Sequence, residues 1–144
     1  MGSLAAKIHA AGLRPGLDVV CSGPYTEAGV AALLQQSHAL VMFSHYETQG
    51  IVLLEALASG RPVVATRAGG PIEIISSQTY GELVEPGDEA GLALALARVV
   101  SRYHHYDPQR LRAQAVANYG QAAVKAQLNA AYRRALLASA PPSP

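Results

Sequence analysis

Two short apolar runs, ALVMFS (Ala39 to Ser44) and RPVVAT (Arg61 to Thr66), flank a helical segment, GIVLLEALASG, that stops at Gly60. Neither run alternates apolar with polar residues, so a strand built from either is covered on both faces. Such strands, separated by helices, belong to a parallel, doubly wound sheet. The rest of the chain continues this rhythm. DVVCSG (Asp18 to Gly23) reads as an earlier strand, and EAGVAALLQQS (Glu27 to Ser37) as the helix after it. PIEIISS opens on a proline suited to the first helical position, and YGELVEPGD gives a short strand and a turn. Asp88 is placed to cap EAGLALALARVVSRY, and Asp107-Pro108 opens a last long helical stretch to about Leu137. About four strands are legible, and the chain begins in a helix rather than in a strand and glycine-rich turn. The expected fold class is therefore α/β, a Rossmann-like doubly wound parallel sheet that lacks its first strands. Residues 1–138 are expected to form this partial domain, and residues 139–144 a disordered tail.

Composition narrows the function classes. The chain has 144 residues, half of them hydrophobic, enough to bury a core without disulfides. A formal net charge of +1 gives no global field for nucleic acid, which is excluded as a partner. The single cysteine, Cys21, forms no internal bridge and favours a reducing cytoplasm. No apolar run reaches the roughly 18 to 20 residues of a membrane span, and the start is too short and weakly apolar for a signal peptide. Arginine outnumbers lysine and alanine is abundant, which points to a GC-rich genome and no more, and a bacterial source is expected. His9, His38, His45, His104 and His105 lack metal-site spacing to carboxylates or cysteine, so neither a metal nor another cofactor is expected.

The segment SHYETQGIVLLEALASG (Ser44 to Gly60) carries the chemistry. Open parallel sheets bind ligands beyond the carboxyl ends of their strands. Ser44 ends a strand there, HYETQG forms the loop at that rim, and a helix begins at GIVLL. The first turn of a helix offers unpaired N–H groups and partial positive charge, which suit phosphate. Gly50, without a Cβ, lets an anion come close. Glu47 precedes this turn and Glu55 lies within the helix. Ionised carboxylates accept pairs of hydroxyl hydrogen bonds, as sugar diols offer them, so the two could bracket an extended ligand. Plainer readings stay open: Glu55 paired with Arg67 or part of a solvated stripe, Glu47 an ordinary loop residue, and Gly50 a simple turn.

SHYETQGIVLLEALASGRPVVATRAGGPIEII, followed by YGELVEPGD, resembles the C-terminal half of a retaining, nucleotide-sugar-dependent glycosyltransferase of the GT-B fold. The family is the large group 1 family, with glycogen synthase-like and mannosyltransferase-like members. Its hallmark, two glutamates separated by seven residues, is matched by Glu47 and Glu55, and the likeness runs from about Leu13 to Ser101. It implies that Glu47 hydrogen-bonds the transferred sugar and is the catalytic-site acid. It also implies that the N–H groups around Thr48, Gln49, Gly50 and Ile51 hold the donor's diphosphate, and that Glu55 grips the ribose. The loop at Gly23, Pro24 and Tyr25 falls where such enzymes place the base. Gly69 and Gly70 either shape the pocket or make a tight turn. Thr48 and Gln49 depart from the family's more common Gly-Phe.

The resemblance further implies a UDP- or GDP-linked sugar as substrate and an N-terminal GT-B lobe as partner. It admits a membrane-associated acceptor (lipid, polysaccharide or other glycan) and a location at the inner face of the membrane, while exposed apolar surface between Arg110 and Leu137 or an unpaired sheet edge would invite a homo-oligomer. The family's early GR…KG segment has no counterpart here, and Lys7 and Arg14 are the cations left. Sugar transfer by this chain alone is thus expected to be weak or absent. Alternatives are a stand-alone nucleotide-sugar-binding module, a partner of a separately encoded lobe, or an unrelated Rossmann-like protein. Arg102 to Asp107 reads as the cover of a helix end, the basic residues of the last helical stretch as solvated charge, and Tyr119 and Tyr132 as helix-packing residues.

Overall fold

In the computed structural model, which describes residues 4–138, the buried run Val63–Thr66 is the middle strand of a three-stranded sheet. The elements in order are α1 (Leu4–Ala10), α2 (Glu27–Gln36), β1 (Leu40–Met42), α3 (Ile51–Ala58), β2 (Val63–Thr66), α4 (Pro71–Ile74) and β3 (Gly81–Val84). They continue with α5 (Glu89–Ser101), a 3-10 turn (Tyr103–His105), α6 (Pro108–Tyr119) and α7 (Gln121–Ala138). The strands are parallel in the order β1-β2-β3, with Leu40 opposite Val63 and Val63 opposite Gly81. The expected tail at 139–144 lies outside the described residues.

Successive residues of a strand point to opposite faces, and β2 feeds two cores in this way. Val63 and Ala65 join Leu34 of α2, Leu53, Ala56 and Leu57 of α3, and Leu111 and Ala115 of α6. Val64 joins Val84 of β3 and Ala95 and Val99 of α5 on the other face. A three-layer α/β/α arrangement results, a partial Rossmann-like domain as the apolar runs require.

Helix starts follow the capping residues. The Thr26 hydroxyl accepts from the Gly29 N–H at 3.2 Å, and Asp88 Oδ1 accepts from the Gly91 N–H at 2.8 Å. Asp107 Oδ1 accepts from the N–H groups of Gln109 and Arg110 at 2.9 and 3.3 Å. Each cap satisfies a donor that has no partner inside the helix.

Two expectations are corrected. Asp18 to Gly23 is not a strand: the only pairing there is a single bridge between Pro15 and Val19. The Arg14 side chain donates twice to the Asp18 carboxylate, at 2.7 Å each, and the Leu17 and Asp18 N–H groups both donate to the Arg14 carbonyl. The chain is thereby folded into a turn, and Val20 emerges 69% exposed, without a neighbouring strand to make it part of a ladder. The last helical stretch is also two helices, because Gly120 takes an extended conformation (φ −66°, ψ 159°) between α6 and α7.

Candidate functional site

The site grows from the carboxyl end of β1. Thr66, at the end of β2 and only 1% exposed, uses its hydroxyl to hold the exit of the neighbouring strand β1. It donates to the Ser44 carbonyl at 2.5 Å and accepts from the Ser44 N–H at 3.2 Å. The loop that leaves Ser44 is thus pinned where it starts. It ends at Gly50, whose φ of +75° is the left-handed conformation that glycine adopts without penalty and that turns the chain into α3.

Between those points the loop lies against the backbone of Gly69 and Gly70. The Gly70 N–H donates to the Glu47 carbonyl at 3.2 Å. A Cβ on Gly69, itself at φ +69°, would stand 2.0 Å from that carbonyl oxygen, and one on Gly70 would stand 2.5 Å from the Gln49 carbonyl oxygen. The double glycine therefore allows backbone to lie on backbone, a reason more specific than a tight turn.

Glu47 folds back over the start of α3. Its Oε1 accepts from the N–H groups of both Gln49 and Gly50, at 3.1 Å each. These bonds favour the ionised form, so the Gln49 and then the Gly50 N–H hold the Glu47 carboxyl below the ordinary glutamate pKa, with smaller help from Thr48. A depressed carboxyl pKa stabilises the folded loop above the ordinary value and loses that effect as pH falls through the lowered one. A carbon-detected NMR titration should therefore find the Glu47 midpoint below that of free glutamate. A midpoint at the ordinary value would mean that the two bonds are absent in solution.

The N–H groups of Ile51 and Val52, at the start of α3, have no hydrogen-bond partner among the described residues. Glu55 lies four residues beyond Ile51, just past one turn and about 6 Å along the axis, so both sit on the same side of the helix. Both are exposed, and both line a groove with Leu54 and Tyr119. Glu55 also borders a cleft of about 290 Å³ between α2, α3 and α6, with Glu27, Val30 and Arg112. Its carboxylate has neither ion pair nor hydrogen bond among the described residues; Arg67, its suggested partner, pairs with Glu85 at 3.1 Å instead.

The structure thus gathers Glu47, Thr48, Gln49, Gly50 and Ile51 at one loop and helix start, with Glu55 one turn further on. Glu47 lines neither of the clefts that Glu55 borders. Gly23, Pro24 and Tyr25 form a separate loop before α2, where the Tyr25 hydroxyl donates to Ser22 Oγ at 2.6 Å. The Tyr25 ring lies over Gly29, whose added Cβ would stand 3.2 Å from Tyr25 Cδ1. Arg14 is committed to Asp18 and is not a spare cation. His45 is exposed and borders none of the clefts described here.

Sequence reasoning missed Tyr119. Rather than only packing a helix, it lines a cleft of about 360 Å³ with Thr48, Gln49, Gly69, Gly70 and Glu73. Its hydroxyl donates to the Glu73 carbonyl at 3.4 Å. Burial first, then the Glu73 carboxylate, raise its pKa. Helical spacing assigns Tyr119 a face of α6 but not what that face meets, so no local signal could have found it. Among the described residues no group of three or more His, Cys, Asp or Glu is arranged to hold a metal ion. No helix there is long and apolar enough to cross a membrane.

Comparison with known proteins agrees with this architecture. A solved sucrose-phosphate synthase from Thermosynechococcus elongatus superimposes with a TM-score of 0.80 at 27% identity, over 94% of this chain and 34% of its own. Anabaena HepE, solved in complex with UDP-glucose, gives 0.72 at 23% identity, over 88% of this chain and 36% of its own, and shows the fold alone. The glycogen synthase of Mycobacterium tuberculosis is 44% identical over 69 residues, which are 48% of this chain and 17% of that protein. The chain thus spans well under two thirds of each of these proteins. The family described as "Glycosyl transferases group 1" matches residues 2–102. That match takes in the sheet, the Glu47 loop and Glu55, and the chain belongs to the group 1 glycosyltransferase family.

Proposed function

We propose that this chain is the donor-binding lobe of a retaining glycosyltransferase that moves a sugar from a UDP- or GDP-linked donor to a lipid, polysaccharide or other glycan. The observation that carries the reading is the start of α3, where the N–H groups of Ile51 and Val52 are open at the rim of a parallel sheet. A diphosphate is the anion such a helix start suits. Glu47 stands on one side of it for hydroxyls of the transferred sugar, and Glu55 follows at one-turn spacing for the ribose. The loop of Gly23, Pro24 and Tyr25 is the proposed neighbour of the base. HepE, of the same fold, binds UDP-glucose in its crystals, which supports a donor of this class.

In this reading the donor is a substrate and no cofactor or metal takes part. The acceptor site belongs to an N-terminal lobe, the chain's partner, and the cations that meet the departing diphosphate belong to the family's GR…KG segment. One helix start supplies too little positive potential for that leaving group, so the isolated chain binds donor but transfers sugar slowly or not at all. The setting proposed is the cytoplasm, at the inner membrane face when the acceptor is a lipid.

Calorimetry with UDP, GDP, ADP and their sugar conjugates tests this directly. Binding of at least one nucleoside diphosphate sugar is expected. Absence of heat with every one of them at millimolar concentration would overturn the donor site. Separately, rapid nucleotide release in the presence of glycan or lipid acceptors would contradict the half-enzyme reading.

A further inference from the structure

We propose that Glu47 makes the site prefer a sugar-linked nucleotide over the free nucleoside diphosphate, by blocking its own anion-binding amides until a sugar is present to take the carboxylate away. This rests on the donor-binding reading above and adds to it a reason for selectivity.

The geometry is an internal competition. The Glu47 carboxylate already holds the N–H groups of Gln49 and Gly50, two of the donors next to the open N–H groups of Ile51 and Val52. An incoming diphosphate needs the same region and brings negative charge toward a carboxylate. To bind fully, it must displace that carboxylate from two charge-assisted hydrogen bonds, which are among the stronger ones available. The carboxylate has limited freedom in where it goes. Its own backbone is fixed by the Gly70 N–H on the Glu47 carbonyl and by the close approach of Gly69, so the side chain alone can swing.

What the displaced carboxylate meets decides the outcome. A sugar on the distal phosphate presents several hydroxyl donors that replace the two lost N–H groups and shield the acid from the phosphates. A free nucleoside diphosphate presents none and carries additional negative charge on its terminal phosphate. The same side chain thus supports the donor and opposes the spent nucleotide, which favours release of the nucleotide after transfer.

The test compares affinities of the wild-type chain, Glu47→Gln and Glu47→Asp for UDP, UDP-glucose, GDP, GDP-mannose and inorganic pyrophosphate. The wild-type chain is expected to bind the sugar-linked form of its nucleotide more tightly than the free form. In Glu47→Gln the free nucleotide and pyrophosphate should gain about tenfold, the cost of one charge-assisted bond, while the sugar conjugate gains nothing or weakens. Glu47→Asp keeps the charge, so free nucleotide should not gain. Equal shifts for free and sugar-linked ligands in Glu47→Gln, or no shift for either, overturn the inference while the donor site stands. A wild-type chain that binds none of the five removes the donor site and the inference together. As a check that needs no variant, the Gln49 and Gly50 amide resonances of the wild-type chain should move on saturation with the sugar conjugate; unmoved resonances mean that the carboxylate stays and the inference fails.

Discussion

Replacing Gly69 by alanine is expected to abolish nucleotide binding while the fold survives. The added methyl would stand 2.0 Å from the Glu47 carbonyl oxygen, far inside any real contact, and Gly69 has a φ of +69°. The left-handed conformation alone costs a residue with a Cβ of order 1 kcal/mol. The clash cannot be relieved by a side-chain rotation, because the atom met is backbone. The Glu47 to Gln49 segment must therefore move, and with it the N–H groups at the start of α3. Gly70→Ala separates the two causes: at φ −53° its backbone suits alanine, yet the methyl would stand 2.5 Å from the Gln49 carbonyl oxygen. Both variants should lose nucleotide binding in calorimetry, and circular dichroism should show an unchanged helix content. Gly69→Ala binding as the wild type does would mean that the loop does not lie on the double glycine.

The largest loss of stability is expected from Leu111→Ala. Leu111 is 1% exposed and packs in the cluster formed by α2, α3, β2 and α6. Truncating a leucine in such a place costs about 2–5 kcal/mol, from lost transfer energy and from the cavity left behind. That is a large fraction of the roughly 5–15 kcal/mol that holds an ordinary domain. A urea titration should show a much lower midpoint with a similar slope. A loss below about 0.5 kcal/mol, the scale of a surface change, would show that α6 is not seated on α3. The variant should also weaken the cleft at Tyr119, since Leu111 and Ala115 are the buried residues of the helix that carries it.

Much of this architecture could be read from the chain because its signals are local. ALVMFS and RPVVAT became β1 and β2, and YGELV became β3. Asp88 and Asp107 capped the helices they were expected to cap, since a cap involves only residues two or three positions away. Asp18 to Gly23 failed for the opposite reason. Its apolar residues suit a strand, but a strand exists only with a neighbour to bond, and the Arg14–Asp18 turn commits the start of that segment elsewhere. The break at Gly120 was hidden within a helical pattern that continues on both sides of it.

The site divides along the same line. Family resemblance and spacing found Glu47, Gly50 and Glu55, and rim geometry explained why a loop there would matter. Neither could reveal that Glu47 turns back onto Gln49 and Gly50, because the same two acids at the same spacing permit many side-chain directions. Tyr119 was invisible for a stronger reason: it reaches the loop only through the packing of α6 on α3, across about half the chain.

One element stands apart energetically. α7 is 18 residues long yet buries none of its side chains, and its contacts run mainly to α6. A helix with no buried face relies, beyond its contacts to α6, on its own propensity, which gives only marginal order in water. Its amides should thus exchange with solvent on a schedule of their own, through openings that leave the β2-centred core closed. α7 and the β2-centred core are cooperative units of unequal strength, with Gly120 as the seam between them.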